Sequence, residues 1–298
     1  MIRNKVYDSN VRRFEALLSK HFDDTNVLTV CNATIGIMGV FYSLGLSNAE
    51  VITTPLTWEG AFSGLEWINC KLKFGKIEEP SLTLAPRSIA SLITSKTKAI
   101  FTADVLGYPC RLDEIKEICK QHNLLLIHDA AGSLGSTWNG FYSGKYADVT
   151  IYSFGRHKPF TTNEGGCIIS ESDKLFETII SHLAHPERQG IMSKEINPLA
   201  LNTSMNSLAV NYGLSHFEYQ MDKILYHQNF VRKEMDKLIM NNLYFEYAFP
   251  NFYKPFFNTM AIKSHSCDLP FQPLSKEYGI HNQIFKQYKI SQNLCLPL

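Results

Sequence analysis

Six residues, Ser153-Phe154-Gly155-Arg156-His157-Lys158, place a lysine in a tight polar loop that Thr162-Asn163-Glu164-Gly165-Gly166 closes. Apolar runs at 149–152 and 167–169 flank it. A lysine held there could be desolvated enough to act as an amine nucleophile rather than a surface charge. The plainer alternative is a solvated loop lysine, the fate of most lysines. Asp129 follows the apolar run 124–127 in His128-Asp129-Ala130-Ala131-Gly132, where small neighbours let a flat ligand approach its carboxylate. In isolation, an aspartate that simply caps the next turn or helix is the better reading.

Two further places carry polar chemistry. Asn32-Ala33-Thr34-Ile35-Gly36 joins a strand-like run to a helix, so backbone N–H groups and the Thr34 hydroxyl can meet a phosphate at the helix N-terminus. A plain N-cap by Asn32 or Thr34 explains the same residues. Ser153 can add a second hydroxyl to that phosphate. Trp58, after Thr53-Thr54-Pro55-Leu56-Thr57, either stacks on a planar ring or fills core volume. Each signal is weak alone, but their order fits a pyridoxal-phosphate site. There the lysine forms a Schiff base and shuttles a proton, while the aspartate keeps the pyridine nitrogen protonated.

Such residues need a scaffold that brings several strand ends together. Apolar runs at 27–30, 51–54, 71–74, 99–103, 124–127 and 149–152 read as short strands. Residues 10–21, 35–46, 58–68, 89–92 and 112–122 read as helices between or before them. Continuous apolar strands alternating with helices predict an α/β fold, a mainly parallel sheet covered on both faces. In such sheets ligands bind at the carboxyl ends of the strands, and every residue singled out above follows a strand. From about residue 206 the pattern changes to one long or broken helix at 208–238 and an aromatic, Pro- and Asn-rich tail. The expected division is a large domain, 1–205, and a small C-terminal domain, 206–298.

Composition narrows the class. The 298 residues carry a formal net charge of +1, with 19% charged and 45% apolar residues, ordinary for a globular chain and without a footprint for nucleic acid or anionic membrane. No apolar run reaches the ~20 residues of a membrane span, and the first residues lack the apolar core of a secretory signal. The seven cysteines are scattered without a close CxxC pair, which predicts no zinc site and a reducing, cytoplasmic setting.

These motifs resemble the DegT/DnrJ/EryC1/StrS family of sugar aminotransferases, which have the fold-type-I architecture of pyridoxal-phosphate enzymes. The family's Ser/Asn-Gly-Thr stands here as Asn32-Ala33-Thr34, its Thr-aromatic pair as Thr57-Trp58, and its Glu-Asp-x-Ala-Gln/His as His128 to Gly132. Its Ser-Phe-x-x-x-Lys and Gly-Glu-Gly-Gly stand as Ser153 to Lys158 and Asn163 to Gly166. The likeness spans roughly residues 8 to 215. It implies that Lys158 and Asp129 are catalytic, that pyridoxal 5'-phosphate is the cofactor, and that Ala33, Thr34 and Ser153 hold its phosphate while Trp58 stacks on its ring. Asn202, in Leu201-Asn202-Thr203-Ser204-Met205, matches an element whose Asn reaches the phosphate across a dimer interface. The resemblance therefore implies a homodimer with shared sites, a nucleotide-linked keto sugar as acceptor and L-glutamate as donor. Three departures stand out: Gly132 for Gln or His, Ser204 for Arg, and a short C-terminal region. The family also holds dehydratases with His in place of the lysine, but the register from Ser153 puts Lys158, not His157, at that position. A non-catalytic homologue that serves as a binding or partner subunit is the other alternative.

Overall fold

The computed structural model describes residues 9–78, 81–105, 107–192 and 196–240, with short strand segments at 253–254, 262–263, 271–273 and 294–297. Beyond residue 240 the expected small domain lies largely outside the described residues.

A seven-stranded sheet forms the centre. Its strands are β1 (Asn26–Val30), β2 (Glu50–Thr53), β3 (Lys71–Phe74), β4 (Thr97–Ala103), β5 (Leu125–Asp129), β8 (Val149–Ser153) and β9 (Gly166–Ser170). Between β5 and β8 lie two short strands, β6 (Thr137–Trp138) and β7 (Phe141–Tyr142). The order across the sheet is β1-β9-β8-β5-β4-β2-β3. Pairings from β3 through β2, β4 and β5 to β8 are parallel, whereas β9 runs antiparallel to both β8 and β1. Six strands therefore end at the same edge, and β9 begins there. That geometry brings the segments after β1, β2, β5 and β8 to one line.

Helices cover both faces, as the near-continuous burial of the strands requires. On one face lie α2 (Ala33–Ser43), α3 (Gly60–Trp67) and α5 (Asp173–Leu183), packed on Val30, Phe101, Ile127, Val149 and Ile151. The helix α2 is apolar almost all round because it is buried between sheet, α3 and α5. On the other face, α4 (Leu112–His122) buries Leu112, Ile115 and Cys119 against Ile52, Ile100 and Leu126. Asp113 and Glu114 open α4, and Asn123 closes it in the left-handed conformation at φ 53°, as charge and capping rules favour.

Beside α4, α1 (Ser9–His21) and α7 (Ser207–Met240) share a third cluster with Tyr152, Phe154, Phe160 and Cys167. The first half of α7 packs there through Val210, Phe217 and Ile224. A short helix, α6 (Pro186–Met192), comes before α7 in the chain. The helix expected at 89–92 is instead a pair of 3-10 turns, Pro86–Ser88 and Ala90–Leu92. Proline at the first position starts a turn, but the stretch is too short to nucleate an α-helix. Among the described residues, no helix is long and apolar enough to cross a membrane.

Candidate active site

The lysine loop is built by its flanks. Ser153 and Gly166 are paired at the mouth of the β8–β9 hairpin, and the Phe154 N–H donates to Gly165 O at 2.9 Å. Phe154 and Phe160 are fully buried, 5.2 Å apart between ring centroids, and Phe14 of α1 packs on both. Each buried ring contributes roughly 1.5–3 kcal/mol. Those anchors leave Arg156 and His157 exposed and Lys158 half-buried, its N–H donating to Gly155 O at 3.0 Å. The register that separates Lys158 from His157 in the sequence is thus also a difference in environment.

Period-two alternation sorts the strand ends by face. Asp129 shares its face with Ile127, while Ser153 shares the face of Ile151 and Val149, the face covered by α2. Asp129 is buried, and its Oδ1 accepts the Ala131 N–H at 2.9 Å. Burial pushes its carboxyl up from the ordinary value. The Ala131 N–H and the charges of Lys158 and His128 pull the other way. Asp129 ends β5 and Lys158 follows β8, neighbouring parallel strands that stop at the same edge of the sheet.

Asn32 caps α2: its Oδ1 accepts the Ile35 N–H at 2.9 Å. The N-cap reading thus holds for Asn32, and Ala33 and Thr34 remain as the first helical residues, where N–H groups lack intrahelical acceptors. Gly166 lies flush against this turn. A Cβ there would stand 3.2 Å from Ala33 N and 2.5 Å from Tyr152 O, so only glycine permits the approach. The lysine loop and the Ala33–Thr34 turn are consequently in contact.

Trp58 is 62% exposed, which sets aside the reading of it as core filler. A Cβ at Gly60 would lie 3.0 Å from its Cδ1 and Nε1 and 3.3 Å from Thr34 Oγ1, so the indole and the Thr34 hydroxyl converge over Gly60. Ser153 is half-buried, its Oγ 3.3 Å from Gly155 N. Asn202 does not join this group within the chain. It is exposed, and its Oδ1 accepts the Ser204 N–H at 3.2 Å. The adjoining Thr203 O takes the Cys31 N–H at 2.7 Å, which ties the Asn202 segment to the end of β1.

One cluster escaped the sequence reading. On the face opposite Asp129, buried His128 has Nδ1 2.8 Å from Thr102 Oγ1 and Nε2 3.1 Å from Asp104 Oδ1, with Ser143 Oγ at 3.4 Å. Asp104 also accepts the Cys110 N–H at 2.8 Å and the Ser143 hydroxyl. The signal available was strand alternation itself: a residue next to Asp129 must face the other way.

The sequence model of the DegT/DnrJ/EryC1/StrS aminotransferase family matches residues 5–246. The chain belongs to this family. Among characterised relatives, GDP-perosamine synthase of Vibrio cholerae is 28% identical over 219 residues, which cover 72% of this chain and 58% of that enzyme. The chain thus spans less than two thirds of that family member's length. The aminotransferase from Psychrobacter cryohalolentis shares the fold, with a TM-score of 0.81 at 20% identity over 96% of this chain and 85% of that one. So does the Escherichia coli GDP-4-keto-6-deoxy-D-mannose-3-dehydratase, solved with bound hydrated pyridoxal phosphate. Its TM-score is 0.77 at 17% identity, over 94% of this chain and 81% of that one. The family fold is therefore a mostly parallel α/β sheet, as the strand pattern predicts.

Proposed function

We propose that this protein is a pyridoxal-phosphate-dependent aminotransferase. Its acceptor would be a keto group on a nucleotide-linked sugar, and its donor L-glutamate. The observation that carries this reading is the convergence of half-buried Lys158, buried Asp129 and the Ala33–Thr34 turn at the one sheet edge where β8, β5 and β1 end. The residues fit the cofactor. A buried carboxylate suits a cationic ring nitrogen, and a helix N-terminus with hydroxyls at Thr34 and Ser153 suits a phosphate. Trp58 offers an exposed ring face. A Cβ at Gly132 would meet no atom within 4 Å, so the turn after Asp129 borders open space.

When bound, the cofactor supplies an electron sink for a carbanion on the substrate carbon that carries nitrogen. Asp129 would hold a proton on the ring nitrogen through its carboxylate. Lys158 Nζ would bind the cofactor, and once released would move a proton to and from the substrate carbon. Proton transfer of this kind needs a lysine as its neutral amine. Ala33, Thr34 and Ser153 would orient the phosphate, and Trp58 would cover one face and keep water from it.

A homodimer completes the proposal. Leu199 (89% exposed), Leu201 and Leu208 lie exposed within a few residues of the exposed Asn202 in the chain, and exposed leucines of this kind are best buried by a second copy. Asn202 would then reach the phosphate of the neighbouring site.

An absorbance scan tests the function. With pyridoxal phosphate the protein should gain a band near the visible edge that Lys158→Ala abolishes, and L-glutamate should then remove it. No band in the wild type defeats the proposal; a band unmoved by glutamate favours the binding homologue. A screen of keto-sugar nucleotides then identifies the acceptor.

A further inference from the structure

One stripe of α7 touches both catalytic segments. Gly213, Phe217, Gln220, Ile224 and Gln228 recur at three- and four-residue steps, which places them on one helix face. At one end, a Cβ on Gly213 would stand 3.0 Å from Thr162 Cγ2, and the Phe217 ring lies 5.4 Å from Phe160. Between them and the other end, Gln220 grips the lysine loop by its main chain. Its Oε1 accepts the Thr161 N–H at 2.8 Å, and its Nε2 donates to Thr161 O at 2.9 Å. Further along, Gln228 Nε2 donates to Gly135 O at 2.8 Å, on the turns that follow Asp129, and Ile224 presses on the same glycine.

We propose that Gln220 and Gln228 are positioning residues: they brace the lysine loop and the segment after Asp129 against one rigid helix and so fix Lys158 relative to Asp129. Two observations argue that the contacts are more than packing. Gln220 is buried within an apolar cluster that includes Phe217 and Ile224, where leucine would pack at lower entropic cost. Its two polar atoms are both spent on one residue, Thr161. The Thr161 hydroxyl in turn donates to Phe154 O at 3.2 Å and accepts the Asn163 N–H at 3.0 Å. Thr161 is therefore the hub through which the loop is held. The two glutamines stand about 12 Å apart along α7, since a helix rises ~1.5 Å per residue. A helix of 34 residues is a stiff spacer, so the distance between the two loops is set by it.

The role assigned to the brace rests on the proposed cofactor chemistry, but its test does not depend on that alone. Amide hydrogen exchange on cofactor-free protein should show residues 155–165 opening about tenfold faster or more in Gln220→Met, with β4 and β5 unchanged. Residues 131–138 should respond in the same way to Gln228→Met. With pyridoxal phosphate added, the double variant should trap less cofactor at Lys158 under borohydride, and the pH midpoint of the bound cofactor's visible absorbance should move. Gln220→Glu, which keeps the acceptor for the Thr161 N–H, should show a smaller change than Gln220→Met. Should Gln220→Met fail to fold, Gln228→Met at its half-exposed position reads the brace on its own. Unchanged loop exchange, or an equal rise across β4 and β5, overturns the proposal. A wild type that binds no cofactor overturns the proposed activity instead and leaves the exchange result to decide the brace.

Discussion

Asp129 is placed where its charge is costly without a ligand. Burial raises its carboxyl above the ordinary value, so its contribution to stability is full below the unfolded pKa and is lost as pH rises through the raised folded one. Wherever the carboxyl is ionised it therefore weakens the cofactor-free fold, and a cationic ring nitrogen would relieve it. Asp129→Asn removes the charge but keeps the shape. The cofactor-free variant should melt at the same temperature as wild type or higher when scanned between pH 5 and 8. Its cofactor affinity should nonetheless fall about tenfold to a hundredfold, the worth of a charge-assisted hydrogen bond. A lower melting temperature with normal affinity would show the carboxylate to be structural. Trp58 gives the complementary case. Because its ring is 62% exposed, Trp58→Ala should leave the melting temperature within about 1 °C while weakening cofactor binding several-fold. Fluorescence titration alongside thermal scans separates the two effects. Residue type together with a position just after an apolar run is what singles out Lys158 and Asp129 in the sequence, and the structure places Asp129 at the end of β5 and Lys158 beyond the end of β8. His128 is not singled out, since its partners Thr102, Asp104 and Ser143 are set by sheet register and a loop that no local pattern announces.

At the scale of elements, continuous apolar runs located the strands because a doubly covered sheet leaves no polar face to interrupt them. The link between β3 and β4 was misread for the same reason. Ile89 and Leu92 satisfy a helical spacing, yet Pro86 and a short span favour 3-10 turns. The β2–β3–β4 edge depends on Glu50, whose carboxylate accepts from Thr94 Oγ1 at 2.7 Å and Thr97 Oγ1 at 2.5 Å and lies 3.0 Å from Lys73 Nζ. The threonine hydroxyls, then Lys73, hold its carboxyl down at about 2. A depressed carboxylate stabilises above its unfolded pKa, and the contribution disappears as pH falls from there towards 2. Glu50→Gln should thus flatten the fall in melting temperature between pH 5 and 3, and should lower it at pH 7. A variant with the wild-type acid profile would show that the three-way pairing contributes nothing.

Over the whole molecule, the α7 contacts were beyond the reach of sequence reading. Gln220 meets Thr161 across 59 residues and Gln228 meets Gly135 across 93, distances at which no periodicity operates. The same holds for assembly. Asn202 sits on the exposed rim beside Leu199 and Leu201, yet its segment is tied to the end of β1 next to the Ala33–Thr34 turn. If two copies share their sites, Lys158 and Asn202 of one working site come from different chains. Lys158→Ala and Asn202→Ala should each be nearly inactive alone. In a mixed dimer, one site collects both defects, while the other joins an intact Lys158 to an intact Asn202. Random exchange makes half the dimers mixed, each with one working site of two, so activity should recover to about a quarter of wild type. If Asn202 serves its own chain, every site in the mixed dimer carries one defect and no activity returns. Unfolding the two variants together, refolding them, and assaying against each refolded alone distinguishes these outcomes, because only a shared site can restore what neither chain possesses.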